Sequence, residues 1–552
     1  MKNRAILFLA FIFVMGLVNS CVEKNGELNE NHIKSAEKII GIDFTDSERD
    51  SLIDELAIVK EELNAIRETK VSNSISPKLI FDPRPINFEI NTVQENINWE
   101  IPEDVILPEN KEELAFYSIS ELACLIKNKK ISSTELTNLY INRLKRFGDT
   151  LECVISITEE LALKQAQKAD AEIAKGNYKG PLHGIPYGVK DLLAVEGYKT
   201  TWGAVPYKDQ NIEYTARIVK KLEDAGAVLI AKLTLGALAM GDVWYDGVTK
   251  NPWDLTQGSS GSSAGSSSAT SAGLVAFAIG TETWGSIVSP ATRCGVTGLR
   301  PTFGRVSRDG AMALSWTMDK IGPICRNAFD CAMVFDVIRG KDKSDQSTVD
   351  FPFNYKNELD LSTLKVAYLK DLFEEDYPGH ENDKKALELL AELGVNFTEV
   401  KLPDNLPIMP LSIILEAEAG AAFDELTRSN KDDELVQQHK YAWPNTFRKS
   451  RFIPAVEYIQ ASRIRTLLIE EFHKLIKDYD VIVCPSFGGD QLLMTNLTGH
   501  PCLVVPNGFD KENHPTSISF IGNLYDEATI LSIAKAYQDN SEFDDVHPEF
   551  FN

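Results

Sequence analysis

Three short stretches carry residues whose types and spacing could do covalent chemistry. The first is TQGSSGSSAGSSSATSAG, from Thr256 to Gly273. A run this rich in serine and glycine reads as a slack linker, a phosphate cradle, or a site of serine chemistry. The phosphate cradle fails, because a P-loop needs GxxxxGK followed by Ser or Thr and no Lys lies between Thr256 and Gly273. A dinucleotide-type GxGxxG is absent too. Gly261-Ser262-Ser263-Ala264-Gly265 satisfies GxSxG, with Ser263 at the nucleophile elbow of an α/β-hydrolase. An elbow follows a buried strand directly, whereas NPWDLTQ precedes this run and is polar and Pro-containing. The other two stretches are PLHGIPYGVKDLLAVEG (181–197) and GTETWGSIVSPATRCGVTGLRPTFG (280–304). In the former, Lys190 stands among apolar residues and glycines, so its burial is expected. A serine hydroxyl is a weak nucleophile and needs an adjacent base. A lysine can serve as that base only when neutral, and burial favours neutrality because desolvation disfavours the ammonium. Asp191 would hold the charge on Lys190 if it pointed at it. On a strand, successive side chains point to opposite faces and would separate the two.

The elements that must position these residues follow from texture along the chain. The 552 residues are 43% apolar and 25% charged, which suits a soluble globular protein with a large core. From about Ala115 onward, helical patterns alternate with short apolar runs. Strands are expected at 226–231, 274–280, 364–369, 479–485 and 501–506. Continuous apolar strands between helices indicate a sheet covered on both faces, hence an α/β fold. Ser118 with Glu121 and Ser132 with Glu135 read as capping boxes opening two helices, and an Ala-rich helix is expected from about Thr158 to Lys175. The serine run lies inside this region, immediately before an apolar strand, which weakens the linker reading.

Ahead of it, Thr45 and Glu48 cap an amphipathic stretch within a helical region from about Asn29 to Lys70. A Pro- and Asn-rich segment then reads as an extended wrap or linker. The N-terminus MKNRAILFLAFIFVMGLVNSC places Lys2 and Arg4 before an apolar run too short to span a bilayer, the pattern of a secretory signal. Its last residues resemble a bacterial lipobox, which implies cleavage before Cys21 and lipid on that cysteine. The expected location is the bacterial cell envelope, periplasmic or surface, with membrane contact through the anchor alone. The net charge of −24 argues against nucleic acid as a partner. Eight cysteines include no CxxC pair, so no metal site is expected, and most sit in apolar runs as small buried hydrophobes.

Taken in order, the three stretches closely resemble the amidase signature family, whose pattern is GIPxxxKD, then GSSxGS, then GTxxxGSIxxPA…CGVxGLxPT. Lys190 and Ser262 are 72 residues apart, and Ser262 and Ser286 are 24 apart, as in that family. SISELACLIKNKKISSTELTNLYINRLKRF resembles the family's opening helices and NLTGHPCLVVPNG its closing segment. The resemblance implies a large mixed, mostly parallel β-sheet with helices on both faces, and together with the N-terminal patterns it divides the chain into three regions. These are a signal over residues 1–21, a helical extension and linker over 22–112, and the amidase signature domain over 113–545. It also implies roles: Ser286 the nucleophile, Ser262 a bridging serine after a cis peptide, and Lys190 the general base. The amides of Thr283, Trp284, Gly285 and Ser286 would form the oxyanion hole. The implied reaction is hydrolysis of a small-molecule or peptide amide through an acyl-enzyme, with no cofactor. The alternatives are a non-catalytic binding lipoprotein on the same fold, or an esterase-type α/β-hydrolase using Ser263.

The chain departs from the family at two positions. Trp284 stands where Gly is usual, and its indole either narrows the acyl pocket or points away. Val288 stands where an Arg usually pairs the acid at 282, so a buried Glu282 needs another partner, Arg293 or Arg300 being the candidates. His183 reads as a structural histidine. Trp244, Tyr245 and Trp253 are candidates for a pocket wall.

Overall fold

The structure, a computed structural model, describes residues 28–552. The expected signal and Cys21 lie outside the described residues. The described chain forms two compact units that part between Ser72 and Asn73. In the first, helices Glu30–Ile40 and Asp46–Glu68 are joined by Arg49, whose guanidinium grips the Glu37 carboxylate at 2.8 and 2.9 Å. Thr45 and Glu48 form the expected capping box.

The second unit is built on eleven strands: β1 Val154–Ile157, β2 Pro186–Lys190, β3 Val228–Leu233, β4 Phe277–Glu282, β5 Thr297–Arg300, β6 Lys320–Cys325, β7 Val366–Tyr368, β8 Phe397–Glu399, β9 Val481–Pro485, β10 Cys502–Phe509 and β11 Pro515–Gly522. They pair in the order β1-β3-β2-β4-β6-β5-β10-β11-β9-β7-β8. Strands β2 to β6, β9 and β11 are buried at every position, so both faces are covered and the α/β expectation holds. The sheet is mixed, but not mostly parallel as expected. Only β2 with β3 and β4, and β7 with β8 and β9, run parallel. The other neighbours are antiparallel. A continuous apolar run reports cover on both faces and carries no direction. The direction of β10 and β11 is set by the short connection between them, which the chain can make only as an antiparallel return.

The capping boxes at Ser118 and Ser132 open helices Ile119–Lys127 and Ser133–Leu151, and the Ala-rich helix spans Glu159–Ala174. Residues 73–112, grouped in the sequence with the N-terminal extension, belong to the second unit. They run as a wrap rather than a free linker. Asn73 exchanges hydrogen bonds with the backbone of Ala313, and Gln94 accepts from the Phe353 amide at 2.9 Å.

The serine run is not a linker. Much of it forms helix Ala264–Ser271, buried at every residue and packed on β4. Only small side chains fit. A Cβ on Gly265 would lie 2.5 Å from the Thr234 amide and 2.6 Å from the Cys153 carbonyl oxygen, and one on Gly261 would lie 1.9 Å from the Gly241 carbonyl oxygen. Parallel pairing of β2 and β4 brings their ends to the same edge of the sheet, where the serine run also arrives.

Candidate active site

Lys190 is the last residue of β2 and is completely buried. Its ammonium lies 2.8 Å from Ser262 Oγ, 2.9 Å from Thr281 Oγ1, 3.1 Å from Ser263 Oγ and 3.4 Å from the Thr281 carbonyl oxygen. None of these partners is charged. Burial pushes Lys190 well below an ordinary lysine, while Asp319 and Glu282 pull weakly the other way. A buried lysine held only by neutral oxygens can exist as a free amine and take a proton. Asp191 points away, as strand alternation requires. Its carboxylate pairs with Lys232 at 2.7 Å and accepts from the Thr201 amide and hydroxyl.

The Gly261–Ser262 peptide is cis. Ser262 presents its hydroxyl to Lys190, while the next amide, of Ser263, donates to the Ser286 carbonyl oxygen at 3.1 Å. That bond ties the serine run to the turn Thr283–Ser286, which links β4 to helix Val288–Cys294. The turn needs Gly285, whose φ is +84°, in the left-handed region. Ser286 and Gly261 line a cleft of about 360 Å³ together with Thr283 and Trp284. Leu314, Leu415, Tyr441 and Trp443 wall it. Trp284 lines this cleft with Ser286 and is 38% exposed.

Ser263, the alternative nucleophile, is completely buried. Its hydroxyl donates to the Thr281 carbonyl oxygen at 3.0 Å and accepts from the Thr281 amide at 3.1 Å. It is a strut between the serine helix and β4, not a group facing substrate. The strand before it, Asp254–Gly258, pairs only with Lys250–Asn251 in a separate two-stranded ribbon, so no elbow exists at the main sheet.

Glu282 finds its partner in Arg300, one of the two candidates. Arg300 Nη1 donates to it at 2.8 Å, as does Asn496 Nδ2. The amides of Ile287 and Val288 add bonds of 2.8 and 3.0 Å to the other oxygen. Although burial opposes ionisation, Arg300 and these donors hold the carboxyl at about 2. The other candidate, Arg293, donates to Gln257 instead. Val288 therefore costs Glu282 nothing in pairing.

His183 lies outside the site, wedged between the Lys179 amide and Glu172. Trp244 packs on Tyr245, and Trp253 donates to the Cys294 carbonyl oxygen; none of the three lines the cleft. Seven cysteines, Cys124, Cys153, Cys294, Cys325, Cys331, Cys484 and Cys502, are buried and unpaired. Sequence reasoning missed Thr281, Asn496 and the aromatic wall at Tyr441 and Trp443. Thr281 had a signal, because it lies one residue before Glu282 on a strand beside Lys190. The wall comes from an irregular region with no motif. Among the described residues no helix is long and apolar enough to cross a membrane.

Comparison with known proteins gives the family and the fold. A family model described as Amidase matches residues 135–493. The glutamyl-tRNA(Gln) amidotransferase A-chain protein of Carboxydothermus hydrogenoformans is 32% identical over 484 residues, covering 79% of this chain and 100% of the relative. The protein of the same name from Acinetobacter baumannii is 33% identical over 482 residues, covering 77% and 96%. Among solved structures, the native peptide amidase from Stenotrophomonas maltophilia superposes with a TM-score of 0.70 at 28% identity, covering 78% of this chain and 98% of that one. An amidase family protein from Bacillus anthracis gives a TM-score of 0.70 at 28% identity, covering 78% and 92%.

Proposed function

This chain belongs to the Amidase (amidase signature) family, and from that premise we propose that it hydrolyses a carboxylic amide through an acyl-enzyme on Ser286. The observation that carries the reading is a buried Lys190 holding Ser262 at 2.8 Å beside the cleft that Ser286 lines. Ser286 Oγ attacks the amide carbon and passes its proton to Ser262 Oγ, whose own proton moves to Lys190. The carbonyl oxygen becomes an anion, and the amides of the turn Thr283–Ser286 stabilise it. Collapse breaks the C–N bond as the leaving nitrogen takes the proton back from the relay. Water then attacks the ester on Ser286 as the same relay takes the water's proton; the bond to Ser286 Oγ breaks, the relay returns the proton to that oxygen, and the acid departs. The Thr281 hydroxyl and carbonyl keep Lys190 aimed at Ser262 throughout. Leu415 and Tyr441 offer apolar contact to the acyl group, beside the ion pair of Glu416 and Lys449 that lines the same cleft.

The relatives' names favour a second reading, in which ammonia released from an amide passes to a partner protein. The two differ in whether the chain acts alone. The test is ammonia release by the purified full chain from a panel of primary amides and peptide amides. Turnover without a partner supports hydrolysis, and turnover only with added partner proteins supports amidotransfer. Under either reading Ser286→Ala abolishes turnover. Loss of turnover in Ser263→Ala alone would return the Ser263 hydrolase. A chain that binds amides and turns over none, even at alkaline pH, would leave the binding-protein alternative.

The reading includes export and lipidation at Cys21, supported by the sequence pattern around it. Cell fractionation tests this: Cys21→Ser should move the protein from the membrane to the soluble fraction.

A further inference from the structure

Strand β4 ends at Glu282, whose ladder partner on β6 is Lys320. Thr283 is the next residue, the first beyond the ladder and the first of the turn that leads to Ser286. Its backbone position therefore rests on something other than strand pairing. The structure supplies a side-chain bond: Thr283 Oγ1 donates to Asp319 Oδ1 at 2.6 Å. Asp319 stands directly before Lys320, so the bond spans the gap left at the end of the same strand pair.

Asp319 is itself held. Its other oxygen accepts from the amides of Leu314 and Ser315 at 2.8 and 3.0 Å. The segment that carries it is fastened to the cleft wall by Glu418 of helix Ile413–Ala422. That carboxylate accepts from Ser315 Oγ at 2.7 Å, the Thr317 amide at 3.0 Å and Thr317 Oγ1 at 2.8 Å. Tyr458 donates to Glu418 as well, and Arg465 donates twice to Thr317. The turn beside Ser286 thus connects, through the Thr283 hydroxyl and Asp319 to the segment 314–319 and from there through Glu418, to the helix Ile413–Ala422 that walls the cleft. Leu314, which Asp319 grips by its amide, also lines that cleft.

We propose that Asp319 is a positioning residue that sets the oxyanion turn through the hydroxyl of Thr283. The proposal rests on the reading of Ser286 as nucleophile. Asp319 touches no substrate. It fixes the first residue of the turn, and so the direction in which the following amides point. A carboxylate here also favours the charged form of Lys190. That effect opposes the base, so its presence needs a reason, and holding the turn is one.

A purely structural role, capping the loop at 314–319, needs only the two backbone bonds to Leu314 and Ser315. Thr283→Val keeps those bonds and nearly the same volume, and removes only the hydroxyl. The experiment treats the full chain with a fluorophosphonate over a range of concentrations and follows labelling of Ser286. The maximal rate and the half-saturating concentration are read separately. Misplacing a reacting group by about 1 Å costs on the order of 100-fold. We expect Thr283→Val to lower the maximal labelling rate by about 10- to 100-fold at an unchanged half-saturating concentration, and Thr283→Ser to restore it. If Thr283→Val melts early, Thr283→Ala gives the same reading with less steric demand. Labelling of folded Thr283→Val at the wild-type rate overturns the proposal. Absence of any label on Ser286 in the wild-type chain would overturn the nucleophile reading first, and the proposal with it.

Discussion

Replacing Glu282 by Gln is the perturbation whose size follows most directly from the structure. The carboxylate is completely buried and accepts four bonds, from Arg300, Asn496 and the amides of Ile287 and Val288. Gln keeps the shape but loses the charge, and its NH₂ must face either two backbone donors or a guanidinium and an amide. Arg300 retains its bonds to Thr495 Oγ1 and the His500 carbonyl oxygen but is left as a buried cation without its anion. Breaking a buried pair in this way costs about 3–5 kcal/mol. The depression of the carboxyl by Arg300 and its other donors points the same way. A carboxyl held at about 2, against an ordinary 4.5, corresponds to roughly 3 kcal/mol of stability in the charged form. The sign is set by a lowered pKa: this stability is present above pH 4.5 and is lost as pH falls toward 2. Urea unfolding of the full chain at pH 7, followed by tryptophan fluorescence, should therefore show Glu282→Gln less stable by about 3–5 kcal/mol. Between pH 4.5 and 2 the wild type should lose stability and close on the variant. The double variant Glu282→Gln with Arg300→Met should lose less than the two single losses together. A loss below about 1 kcal/mol at pH 7, or additive single losses, would refute the pairing argument.

Four further outcomes follow. Turnover and Ser286 labelling should rise with pH as Lys190 loses its proton, with the midpoint below an ordinary lysine's 10.5 because burial favours the amine; a flat profile contradicts the base assignment. Trp284→Ala should open the cleft beside Ser286, so bulky acyl amides gain in kcat/KM relative to small ones; an unchanged ratio would mean the indole does not meet the acyl group. Ser263→Ala should lower turnover by roughly tenfold without abolishing it, since the hydroxyl braces Lys190 through a neutral bond worth on the order of 1 kcal/mol; complete loss would make it catalytic. Gly265→Val should prevent folding, as its Cβ would sit 2.6 Å from the Cys153 carbonyl oxygen; a soluble variant with wild-type melting would contradict the packing.

Much of the site was legible in the sequence because its chemistry needs fixed residue types at fixed separations. Of the residues the three motifs single out, Lys190 and Ser262 are in hydrogen-bond contact and Ser286 lines the adjoining cleft, and Arg300 was one of two candidates for Glu282. Five apolar runs each became part of a strand, since residues buried on both faces read as continuous hydrophobic stretches. The strands that escaped notice are those without such a run. β2 contains Pro186, Gly188 and Lys190, β6 opens with Lys320, and β11 mixes Pro515, Thr516, Ser517 and Ser519 into its core positions. Their polar groups are satisfied by partners distant in sequence, such as Ser486 beside Ser517 and Ser519. Strand direction was misjudged for the same reason: burial is written in the sequence and pairing is not. Asp319 was invisible because the Thr283 hydroxyl it meets is 36 residues away and no motif spans the gap.

The central claim is that Lys190, through Ser262, activates Ser286. Its most direct test is to treat the full chain with a fluorophosphonate and locate the adduct by peptide mass spectrometry, in the wild type and in Lys190→Ala. The account predicts an adduct on Ser286 in the wild type that vanishes or nearly so in the variant. An adduct on Ser263, or one on Ser286 that forms equally fast without Lys190, would contradict it.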